Sequence, residues 1–152
     1  MEYSGNKHPR SKIRKALLDV LTDSNKTPSS IFVGRHYPLS PSQLPGIFID
    51  ITDEVPNQTV SNNCVKIYER SLFGNIYIHA DGRTEIAATD NCENIAREVE
   101  LLLLGPKSPI LDNEIIEDIY ISDVKKWEEN EGNAFVGIAL QFTIMYVDQF
   151  IN

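Results

Sequence analysis

The chain lacks the local signatures by which enzymes are usually recognised. Its 152 residues contain no GxxxxGK[ST] phosphate loop, no HExxH, no GxSxG and no GxGxxG between a strand and a helix. No spacing therefore announces a phosphate cradle, a metal-bound water or an activated serine. Long apolar runs are missing too: Leu101 to Leu104 falls far short of the ~18 residues a membrane span needs, so no membrane partner is expected. The N-terminus, MEYSGNKHPRSK, has no apolar core behind its basic residues and does not read as a secretory signal. Cysteine is scarce. Cys64 and Cys92 form no CxxC or zinc-like spacing and are read as reduced thiols. His8, His36 and His79 sit in different segments with no spacing that builds a metal site, and neither a metal nor a cofactor is expected.

Positive charge is scarce except at the start. Residues 1 to 15 hold five basic residues against Glu2, a net +4; the remaining nine basic residues face 21 acidic ones, a net −12. An acidic body repels phosphates, which argues against nucleic-acid binding by the folded part. What is present fits one domain: apolar residues at 41% and charged residues at 24% are ordinary globular usage. We expect residues 1–10 to form a flexible basic arm and residues 11–152 a single domain.

Periodicity then divides the chain. From Ser11, taken as the N-cap, to Thr22, apolar residues Ile13, Ala16, Leu17, Val20 and Leu21 recur at helical spacing. Lys12, Arg14 and Lys15 in its first turn oppose the helix dipole, which hints at a contact rather than local stability. Residues 24–30 are a polar linker and Ile31 to Val33 a short strand. The loop from Gly34 to Gly46 carries Pro38, Pro41 and Pro45 and cannot be a central strand. Residues 47–52 return to sheet, with Ile47, Ile49 and Ile51 on one side. Residues 53–63 read as a mobile polar segment.

A strand follows from Val65 to Ala80, whose apolar parity changes near Glu69 to Leu72 and predicts a bulge there. A second helix reads from an Asp90–Glu93 capping box through Ile95, Ala96, Val99, Leu102 and Leu103 to Gly105-Pro106. Ile115 to Ser122 make a strand, WEENEGN a charged connection, and Phe135 to Val147 a regular last strand. The order α-β-β-β-α-β-β predicts an α+β fold: a single mixed, largely antiparallel sheet with two helices packed on one face.

Two polar clusters are candidates for contacts. Arg35-His36-Tyr37 could bind an anion or make a local ion pair, and Glu69-Arg70 could be a cross-strand or inter-subunit pair or a solvated face.

Taken in order, IRKALLDVL, IFVGRHYPLSPSQLPGIFIDITDE, YERSLFGNIYIHADG, DNCENIAREVELLLL and GIALQFTIMYV resemble the phage tail terminator family, the minor tail protein U group. The resemblance spans the chain from residue 11 and rests on order and spacing. It implies a non-enzymatic virion protein, assembled in the host cytoplasm as a homo-oligomeric ring of six. Such a ring caps the head-proximal end of the tail tube, stops polymerisation and offers the surface for head–tail joining. Its implied partners are other copies of itself, the tail tube protein and the head completion or neck protein, with DNA passing through the lumen without specific binding. On this reading acidic side chains line the lumen, residues 53–63 and 124–133 order only on assembly, and Arg35, Tyr37, Glu69 and Arg70 are candidate interface residues. A neck protein, or a small enzyme using Arg35 and His36 on an anionic substrate, are the alternatives.

Overall fold

The computed structural model describes residues 8–34, 40–62, 64–106, 108–112, 114–131 and 133–151. Two helices, α1 (Pro9–Thr22) and α2 (Glu85–Leu104), accompany five strands: β1 (Ser30–Val33), β2 (Gly46–Ser61), β3 (Val65–Gly82), β4 (Ile116–Glu131) and β5 (Asn133–Ile151). The sheet order is β1-β2-β3-β5-β4, with β1 parallel to β2 and every other pair antiparallel. This is the expected α+β fold, with the expected element order.

The helices begin earlier than the periodicity suggested. Pro9 occupies the first turn of α1, where its fixed φ and missing N–H cost nothing, and His8 rather than Ser11 caps it, Nδ1 accepting from the Arg10 N–H at 3.1 Å. Pro9 and Arg10 therefore belong to the helix, not to an arm. In α2 the cap is Thr84, whose Oγ1 accepts from the Ala87 N–H at 3.1 Å, so Asp90 and Glu93 lie within the helix instead of at its start. Ala88, one turn before Cys92, continues the buried stripe and explains the extra turn. Gly105 ends the helix as read, its N–H donating to the Leu101 carbonyl.

Both helices bury their stripes on one sheet face. Ile13, Leu17 and Leu21 of α1 and Ala88, Cys92, Ala96, Val99 and Leu103 of α2 join Ile47, Ile49, Leu72, Ile76, Ile78, Val136, Ile138, Leu140, Phe142 and Ile144 in one core. Removing the Val, Leu, Ile and Phe side chains of this core from water contributes roughly 1.5–3 kcal/mol each.

The sheet outruns this helical layer. A helix of α2's 20 residues spans about 30 Å, whereas β3's 18 residues reach about 60 Å. The excess appears as two long hairpins, β2–β3 and β4–β5, whose tips lie at opposite ends of the sheet. Two expectations are corrected here. Residues 53–61 and 124–131 are strand, paired with β3 and β5, rather than segments awaiting a partner. Pairing along the same backbone ladder that serves the core satisfies their amides despite polar side chains.

The bulge also lies elsewhere. β3 pairs with β5 without a register shift from Val65 to Gly82, while β2 shifts between Ile51 and Asp53 and between Pro56 and Gln58, and β4 between Ile116 and Asp118 and between Ile121 and Asp123. Val65 and Ile67 simply occupy the helix-free face of a strand that has passed beyond the helices.

Candidate assembly surface

The register shift at Thr52 has a chemical result. It turns Glu54 onto the helix-side face opposite Leu72, where strict alternation from Ile51 would have placed Asp53. On β3 the same face carries Arg70, and on β5 it carries Tyr146 and Asp148. These four meet where the helical layer stops. Arg70 Nη1 reaches Glu54 Oε2 at 2.9 Å, its Nε lies 3.4 Å from Asp148 Oδ2, and the Tyr146 hydroxyl donates to Glu54 Oε1. Arg10, in the first turn of α1, adds an Nη1 at 3.6 Å from Glu54. Burial and the contact with the Glu54 carboxylate raise the Tyr146 hydroxyl's pKa, so it remains a donor. The cluster thus fastens α1 to three strands and closes the polar end of the core.

Beyond the cluster, the same face opens into a groove of about 560 Å³ whose lining includes Pro56, Lys66, Tyr68, Arg70 and Phe150. Tyr68 meets Phe150 edge-to-face at 5.6 Å and carries the Arg70 guanidinium 5.3 Å above its ring.

The helix-free face is built differently. His79 on β3, Gly137 on β5 and Trp127 on β4 form one cross-strand row, and Phe48 and Tyr77 stack beside it at 4.4 Å. Phe48 stacks on His79 at 5.6 Å and Trp127 closes its other side at 5.3 Å. Burial lowers the pKa of His79, and its Nε2 has no hydrogen-bond partner among the described residues.

Of the candidate contact residues, Arg70 lies in the cluster and its guanidinium is taken up by intramolecular carboxylates. Glu69 points to the opposite face, between Gln58 and Val147, so the two neighbours do not form one site. Arg35, His36 and Tyr37 lie outside the described residues. Glu54, Tyr146 and Asp148 were not singled out from the sequence. Asp148 could have been: it continues the Val136-to-Tyr146 parity and therefore places a carboxylate on the core face.

Among the described residues no three His, Cys, Asp or Glu side chains gather to hold a metal ion. No described helix is long and apolar enough to cross a membrane. Among the described residues both outer sheet edges are open: β1 covers β2 only from Gly46 to Ile49, and β4 has one neighbour, β5.

No protein-family model matches the chain, and no curated protein matches it. Among solved structures, it is similar to a chain in the virion of a native gene transfer agent particle, with a TM-score of 0.55 and 13% identity over 89% of this chain and 94% of that one. At that identity the likeness is one of fold, and it takes in nearly the whole of both chains.

Proposed function

We propose that the protein is a structural virion component that closes into a homo-oligomeric ring and caps the head-proximal end of a phage tail tube. The observation that carries this reading is the sheet itself. It outruns its helices as two oppositely directed hairpins and, among the described residues, leaves the outer edges of β2 and β4 open, in a fold shared with a chain of a gene transfer agent virion. A head-to-tail contact between unlike edges, repeated by rotation, closes a ring. The tail terminator resemblance supplies the rest: tube protein on one side, neck protein on the other, and DNA passing through a lumen that an acidic body keeps non-adhesive.

Electron microscopy of particles assembled without the protein tests the role. Tails of abnormal length support a terminator; normal tails detached from filled heads assign a joining role instead. A ring with a predominantly basic lumen would refute the acidic channel.

A further inference from the structure

The two helices share a layer but carry opposite charge. α1 holds Arg10, Lys12, Arg14 and Lys15 against Asp19, a net +3; α2 holds Glu85, Asp90, Glu93, Glu98 and Glu100 against Arg97, a net −4. Intramolecular pairing takes up part of this: on α2, Arg97 reaches Glu100 at 3.3 Å. Arg10 leans to Glu54 and Lys15 to Asp19, while Lys12 and Arg14 pair with no described residue; Glu93 reaches Lys126 only at 3.8 Å. The outward stripe of α2 is also partly apolar. Ile86, Asp90, Glu93, Arg97, Leu101 and Leu104 fall on one side at helical spacing, opposite the buried stripe, with Ile86 75%, Leu101 50% and Leu104 42% exposed. Leucine and isoleucine at both ends of a charged stripe form an uncovered helix face of the kind that marks a contact surface.

We propose that this layer docks on the same layer of a second copy, the basic α1 of each chain lying on the acidic, leucine-ended stripe of the other's α2. Charge complementarity selects the partner: an α1 facing another α1, or an α2 facing another α2, sets like charges together. Lys12 and Lys15 are exposed on the side of α1 opposite Ile13, Leu17 and Leu21, and α2's stripe lies opposite its own buried face, so a two-fold axis makes both contacts at once, an isologous interface. The contact leaves the open edges of β2 and β4 free, so it is independent of edge-to-edge ring closure.

The experiment is a charge swap read as mass in solution. K12E/K15E turns α1 acidic, to a net −1, and D90K/E93K leaves α2 neutral overall but turns its outward stripe, with Arg97, to a net +3; the first also removes cations from a helix N-terminus, which favours the helix. Circular dichroism confirms that each variant is folded. The wild-type chain is expected to dimerise at low salt and dissociate as salt rises. Each variant alone is expected to be monomeric on this face, and an equimolar mixture to recover the dimer. Either variant self-associating like wild type, or no salt-sensitive wild-type association, overturns the proposal. A larger wild-type assembly that keeps its mass in both variants overturns this interface and leaves the ring reading standing.

Discussion

The Trp127 indole lies across Gly137: a Cβ on that glycine would stand 2.1 Å from both Cε2 and Cζ2 of the ring. The missing side chain lets an edge-strand tryptophan reach over β5 and touch His79 and Tyr77 on β3. A single backbone vacancy thus organises the helix-free face, and the chain's one tryptophan reports on it.

Gly137→Ala is therefore expected to push the indole off the row. The methyl meets a rigid ring rather than the end of a flexible chain, so the cost is about 1–3 kcal/mol, as for other overpacking changes. Urea titration followed by tryptophan emission checks it, with a red-shifted native spectrum expected beside the lower midpoint. An unchanged spectrum would mean that the indole does not depend on the gap.

His79 predicts an acid-sensitive term. Burial holds its pKa below the ordinary 6.5, so between 6.5 and the folded-state value the unfolded chain binds a proton that the native chain does not. Stability from this group is complete above 6.5 and falls as pH drops, levelling off below the folded pKa. Melting temperatures across that interval are expected to fall more steeply for wild type than for His79→Gln. Parallel curves would count against it.

The strands and helices were legible in the sequence because their stripes are regular, as Ile47, Ile49 and Ile51 or Val136 through Tyr146 show. The hairpin extensions were not. From Asp53 to Ser61 and from Val124 to Glu131 the side chains are largely polar, and nothing local records that the backbone continues to pair. The cluster around Arg70 was half visible. Arg70 stood out as a charge within a strand, but Glu54 joins it through a register shift at Thr52 that leaves no mark in the residue pattern.

The two thiols are expected to behave oppositely. Cys92 is buried in the core and burial pushes its pKa to about 12, whereas Cys64 is exposed near the tip of the β2–β3 hairpin. Only the thiolate is nucleophilic, so alkylation of the native chain near neutral pH should modify Cys64 and spare Cys92. Peptide mass mapping reads this, and both should react in denaturant. Native modification of Cys92 at a comparable rate would show the core opening beneath α2.

Arg70 should matter chiefly through what its loss leaves behind. Its guanidinium, 18% exposed, bridges Glu54 and Asp148, whose side chains are 9% and 11% exposed. Arg70→Met removes the cation and strands two carboxylates in a poorly hydrated corner. Breaking a fully buried pair costs about 3–5 kcal/mol. Residual solvent access and the nearby Arg10, 3.6 Å from Glu54, lower the expectation to about 2–3 kcal/mol. If stranded charge is the cause, neutralising the partners should relieve it: E54Q/R70M/D148N should unfold at a higher urea concentration than Arg70→Met alone. A triple variant less stable than the single one would mean instead that the ion pairs stabilise this end of the sheet outright, and that α1 is held there by charge rather than by the packing of Ile13 and Leu17.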